Sequence, residues 1–287
     1  MDSSTATLMQ ILRERVGTLV EAGDYEEAVH AANAAVEKAQ QTLSTDLDDI
    51  DEFVETLEVR GELFRMVGRY DDARDDYKQA LELLENRPDK ILQVARIHAA
   101  QGAVYDDVGN PEKAVTHWLE SVRLFSESEP PAELDVAVIS NNLASLMKDE
   151  GDIDSAESYY LRALEIFHNV LGPNHEETAT VSNNLGALYH NSGYFEQARE
   201  MHMMALEARQ SLFGDVYPDT AQSHNNLALA LAETGDAERA NMHFELSIKG
   251  FEALGSEYED EQEMVRGNYE SYVNEDEESL EGEKESA

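Results

Sequence analysis

GDYEEA at residues 23–28 returns as GRYDDA at 68–73, GNPEKA at 109–114, GDIDSA at 151–156, GYFEQA at 193–198 and GDAERA at 235–240. The leading glycines are separated by 45, 41, 42, 42 and 42 residues. A nearly constant interval of this size marks stacked repeats, each unable to bury its own apolar face alone. Five residues after each glycine stands Ala28, Ala73, Ala114, Ala156, Ala198 or Ala240. Nine residues after it stand Ala32, Tyr77, Trp118, Tyr160, His202 and Phe244; twelve after, the small Ala35, Ala80, Ser121, Ala163, Ala205 and Ser247. Offsets of five, nine and twelve place these side chains on one stripe of a helix.

A second helix is legible upstream. Seven residues before each glycine stands Val16, Gly61, Gly102, Ala144, Gly186 or Ala228, and four before stands Leu19, Phe64, Tyr105, Met147, Tyr189 or Leu231. Each unit therefore reads as helix, glycine, helix. The glycine suits the left-handed residue that ends a helix. Asp24, Asp152 and Asp236 are placed to cap the second helix, and Asn110 followed by Pro111 does so with proline at the first helical position.

The order small, aromatic, glycine, alanine, aromatic, alanine resembles the tetratricopeptide repeat. The phrases LGPNHEETATVSNNLGALY from Leu171 and YPDTAQSHNNLALAL from Tyr217 resemble its 42-residue, kinesin-light-chain-like subtype. The resemblance covers about residues 8–255. It implies an all-α fold: a right-handed α-α superhelix of six helix pairs with a C-terminal capping helix. The solenoid is expected over 1–255, with repeats at about 5–44, 50–87, 90–128, 133–170, 175–212 and 217–254. The first repeat departs most from the pattern, with Ala32 in the aromatic slot, which suits an end cap. The acidic connector DLDDIDE at 46–52 accounts for the 45-residue interval and extends the start of the next helix. A capping helix is expected at 256–273, and the acidic, apolar-poor tail 274–287 is expected to be disordered.

The 61 acidic and 21 basic residues give a net charge of -40. Nucleic acid and anionic membranes are bound through basic patches, so neither is an expected partner. A basic protein or peptide is; high-salt adaptation explains the same charge, and only 7 of the 21 basic residues are lysine. The absence of cysteine excludes disulfides and thiol catalysis and fits a cytoplasmic setting. The first thirty residues lack a signal-peptide pattern, and no apolar run is long enough for membrane insertion.

The most informative polar feature is an asparagine pair, Asn141–Asn142, Asn183–Asn184 and Asn225–Asn226, inside the first helix of repeats four to six. Asparagine is a poor helix former, so three pairs at one register need a reason. The resemblance implies that first helices line the groove of the superhelix. An amide there can both donate to and accept from a ligand backbone. The competing reading is a structural bond between neighbouring repeats. Arg96, Lys148 and His190 are the candidate cations of the same face, and Val138, Ser145, Ala187 and Leu229 its candidate pocket residues. Most of the basic element of carboxylate-clamp family members is missing, which argues against capture of an acidic C-terminus. HEETA at 175–179 lacks the second histidine of a zinc-protease motif, and MHMM at 201–204 reads as helix packing. No phosphate loop or nucleophile elbow is present, so neither cofactor nor catalysis is expected. The resulting expectation is a scaffold or adaptor that holds a partner peptide or helix; the alternative is a regulator that senses a short signalling peptide.

Overall fold

The computed structural model describes the backbone of residues 3–285 and the side chains of residues 10–274. Among them are thirteen α-helices and no strand. Six pairs follow one another: α1 (Ser3–Glu21) with α2 (Tyr25–Thr42), α3 (Leu47–Met66) with α4 (Tyr70–Leu83), α5 (Ile91–Asp107) with α6 (Pro111–Glu127), α7 (Glu133–Asp149) with α8 (Ile153–Leu171), α9 (Glu176–Asn191) with α10 (Phe195–Phe213) and α11 (Pro218–Glu233) with α12 (Ala237–Leu254). A last helix, α13, spans Glu259–Glu285. It runs past the expected end at 273, since Glu-rich sequence has high helix propensity. Of the tail 274–287, expected to be disordered, residues 274–285 continue α13, and residues 286–287 lie outside the described residues.

The repeated glycine does the same work six times. Gly23, Gly68, Gly109, Gly151, Gly193 and Gly235 all have φ between 67 and 81°. The next residue's N–H then bonds to the carbonyl five residues back, as in Asn110 to Tyr105 (2.8 Å) and Tyr194 to Tyr189 (2.9 Å). This closure satisfies carbonyls that the helix end would otherwise orphan. Asp24, Asn110, Asp152 and Asp236 accept from the N–H three residues on, so the expected caps form. Asp46 caps α3 in turn, and the acidic connector becomes the opening turns of that helix.

The division into compact units falls inside α7: one unit is Met1–Ile139, the other Ser140–Ala287. In the first, Phe53, Leu57, Phe64, Tyr77, Ile97 and Val104 form the centre of a buried cluster. Helix pairs approach closely because a small residue faces a large one sixteen positions on. A Cβ on Gly61 would lie 2.8 Å from the Tyr77 ring, and one on Gly102 would be closer still to the Trp118 ring. The first repeat reverses the sizes: Val16 and Ala32 share one buried cluster. The large residue has moved to the first helix and the small one to the second. Repeat one is therefore a complementary variant of the packing.

In the second unit the same pairing sets Gly186 against His202, where an added Cβ would lie 2.7 Å from the imidazole. Ala228 packs in one cluster with Phe244, together with Ala221, Phe251 and Val265 of α13. Tyr269 of α13 stacks on Phe244 with centroids 5.2 Å apart, and Tyr272 lies at 5.8 Å. So α13 covers the apolar end of the last pair, as a capping helix should.

Candidate partner-binding site

Adjacent asparagines on a helix point about 100° apart. In the second unit the two members of each pair consequently do different things. Asn184 Nδ2 donates to Asn141 Oδ1 (3.2 Å), Asn226 Nδ2 donates to Asn183 Oδ1 (2.9 Å) and Asn268 Nδ2 donates to Asn225 Oδ1 (3.1 Å). Every rung spans 43 residues, one more than the repeat. A continuing ladder needs the first asparagine of one repeat as acceptor and the second of the next as donor, so each interior repeat must carry both. This accounts for the Asn–Asn dipeptide. It also accounts for Asn268, which the sequence reading missed. It follows Gly267 because the final rung needs only the donor. Counting 43 residues from Asn225 would have found it.

The ladder is tied into the core on one side. His202 Nδ1 lies 3.2 Å from Asn183 Oδ1, so the imidazole carries its proton on that nitrogen and donates it. Burial, with His190 and Arg209 nearby, lowers the His202 pKa to about 4. A neutral ring thus holds the asparagine carbonyl from below. Further along, Gln222 Nε2 donates to Asn226 Oδ1 (2.9 Å), and Asn225 Nδ2 reaches the same oxygen at 3.3 Å.

What remains free matters for binding. An amide offers two N–H groups and a carbonyl with two lone pairs. Asn184 and Asn226 each spend one N–H on the ladder. Asn142 spends nothing on it: the residue 43 positions earlier is Ala99, whose side chain carries no acceptor. Asn142 and Asn184 are half-buried, at the depth where a ligand could reach them. Ser145, Ala187 and Leu229 are likewise half-buried, one turn along the same helices.

The three candidate cations have separate surroundings. Lys148 pairs with Asp149 at 3.4 Å. His190 meets the edge of Phe195 with centroids 5.4 Å apart, and its Nε2 is buried without a hydrogen-bond partner among the described residues. Arg96 belongs to the first unit and is exposed there. It lines a hollow of about 760 Å³ with Glu55, Glu58, Lys90, Gln93 and Glu127. In that hollow the Glu58 carboxyl is pushed up by burial, and accepts from Gln93 Nε2 at 2.5 Å. Val138, on α7 before the division, is 44% exposed.

The tetratricopeptide repeat model matches residues 52–127, 135–211 and 182–253, more than half of the chain. The chain belongs to the tetratricopeptide repeat family. Among solved structures it is similar to BtubC (BKLC) from P. vanneervenii, with a TM-score of 0.71 and 28% identity over 80% of this chain and 92% of that one. That likeness and the 42-residue period place it in the kinesin-light-chain-like subtype. It also shares the fold of the Rap conjugation gene regulator of plasmid pLS20 in complex with the Phr* peptide (TM-score 0.53, 16% identity, 96% of this chain and 85% of that one). Over 93 residues, 32% of its length, it is 32% identical to Tonsoku-like protein of Mus musculus, and it spans only 7% of that protein. The tetratricopeptide repeat fold is a scaffold for protein–protein interaction. Among the described residues no helix is long and apolar enough to cross a membrane.

Proposed function

We propose that this tetratricopeptide repeat protein is a non-enzymatic scaffold or adaptor that holds an extended partner segment along the asparagine face of its second unit. Asn142, Asn184 and Asn226 would bond the partner backbone, and Ser145, Ala187 and Leu229 would receive alternate side chains. The observation that carries the reading is the arrangement of the ladder. It fixes the rotamers of Asn184 and Asn226 by bonds between repeats yet leaves each an N–H to spend, and it leaves the Asn142 amide outside the ladder altogether. Preorganised amides lose little entropy on binding a ligand.

The net charge of -40 supports a basic partner and argues against nucleic acid. The lack of cysteine supports a cytoplasmic setting. Sensing of a short signalling peptide is the alternative, supported by a likeness in fold to a peptide-bound regulator. Asn142→Ala is the informative variant, because this residue can contribute to binding without contributing a rung. Peptides selected against the full chain from a random linear library should bind it at least about tenfold more weakly, the effect of losing about 1.4 kcal/mol of hydrogen bonding. Unchanged affinity across such peptides would remove the groove reading.

A further inference from the structure

The residue after each repeat glycine is a capping position. Four of the six repeats place Asp24, Asn110, Asp152 or Asp236 there, and each makes its cap bond. The fifth repeat places Tyr194 there, and α10 begins without a side-chain cap. A helix start is weakened, yet the tyrosine is not used to fill the core: it is 54% exposed. Its ring stands edge-on to Tyr189, with centroids 6.3 Å apart and planes at 88°.

Tyr194 walls a pocket of about 270 Å³ together with Ile153, Asp154, Glu157, Leu188 and Tyr189. None of these belongs to the asparagine ladder. The Tyr189 hydroxyl donates to Glu157 Oε1 at 2.7 Å, which orients that carboxylate. Neither Asp154 nor Glu157 makes an ion pair with a described residue. The pocket thus combines an exposed aromatic face, an aliphatic floor and two carboxylates that lack a cation.

We infer that this pocket is a second interaction site, which takes a single arginine or lysine side chain of a partner protein. The aliphatic stem would lie against Ile153, as long basic side chains lie on apolar surface. The charged head would meet the face of Tyr194 and the carboxylates of Asp154 and Glu157. A planar guanidinium satisfies both at once, so arginine fits better than lysine.

The test uses the full chain labelled with 3-fluorotyrosine and the capped pentapeptide Gly-Ser-Arg-Ser-Gly, titrated at about 0.15 M salt, where the Debye length is about 8 Å and diffuse attraction is screened. The Tyr194 signal, assigned with Tyr194→Phe, should shift with the arginine peptide and stay still with the neutral citrulline analogue. Asp154→Asn with Glu157→Gln should weaken binding at least about fivefold, while Asp71→Asn with Asp72→Asn, which removes the same charge from α4, should change it less than about twofold. Tyr194→Ser, read at the neighbouring Tyr189 signal, should abolish the response while the variant melts no lower than wild type, since serine restores a cap. Equal shifts with the citrulline peptide, equal losses in the two double variants, or no shift at Tyr194 would overturn the assignment.

Discussion

Asn184 reaches back 43 residues to donate its side-chain N–H to the carbonyl of Asn141 at 3.2 Å. That one-residue excess over the 42-residue period divides the labour within each asparagine pair, and it separates variants that affect stability from variants that affect binding.

Asn183 accepts from both Asn226 and His202, so removing its carbonyl leaves the buried His202 N–H and one half-buried Asn226 N–H unpaired. Asn183→Ala should lower stability by about 1–3 kcal/mol, the cost of buried groups left without partners. Asn142→Ala makes no rung and should change stability by less than about 0.5 kcal/mol. Urea unfolding of the two variants beside wild type measures the difference.

Close packing between paired helices predicts a strong size dependence at Gly102. A Cβ there meets the Trp118 ring, whose indole N–H is held by the Ala99 carbonyl at 3.1 Å and cannot easily move away. Gly102→Ala should cost about 1–3 kcal/mol through overpacking. Following the reversed pair Val16 and Ala32, Gly102→Val should be less harmful in a Trp118→Ala background than alone. A thermal double-mutant cycle reads the coupling; additive losses would show that the two residues do not share one space.

Three histidines make the fold sensitive to acid. Burial is the main cause that lowers His117, His202 and His243 to about 4, with a neighbouring histidine adding to each. His117 Nδ1 faces His98 Nδ1 at 3.0 Å, and His243 Nδ1 faces His224 Nδ1 at 2.8 Å, contacts that need at least one neutral ring. Since the folded pKa lies below the unfolded value near 6.5, the unfolded chain takes up protons first. Stability is full above about pH 6.5 and falls as the pH drops towards about 4. For the well-buried His202 the loss is on the order of 2–3 kcal/mol. Urea midpoints at pH 7.5 and 5 should show this, and His202→Phe, which places at this slot the residue type of Phe244, should flatten the profile.

Tyr194→Asp should raise stability by about 0.5–1 kcal/mol, because it gives α10 the cap that α2, α8 and α12 have. A fall in melting temperature would show instead that the Tyr189–Tyr194 contact outweighs the missing cap.

Most of the fold is legible in the sequence because it depends on local chemistry repeated at one period. The glycine, the capping Asp or Asn and the small residue opposite an aromatic each act within one helix pair, so six copies reinforce one reading. The site is less legible because its bonds join different repeats. The offset of 43 residues appears only when helices are stacked, and Asn268 lies beyond the last glycine phrase that defines the period. His202 occupies an aromatic slot in the sequence; its role as donor to Asn183 depends on a distance no spacing reveals. The surroundings of the candidate cations are hard to read from sequence for a related reason. Lys148 meets Asp149 and Arg96 shares a hollow with Glu55, Glu58 and Glu127, and in so acidic a chain no sequence register identifies which carboxylates a cation meets.

The central claim, that a partner segment lies along the asparagine face, is tested most directly by side-chain amide NMR. The full chain, labelled with ¹⁵N, would be titrated with a peptide selected against it from a random linear library. The side-chain NH₂ signals of Asn142, Asn184 and Asn226 should shift together and saturably, with Asn142 moving most because its amide is unspent. A library that yields no binder, or a bound peptide that leaves these three amides unmoved while other signals shift, would contradict the account.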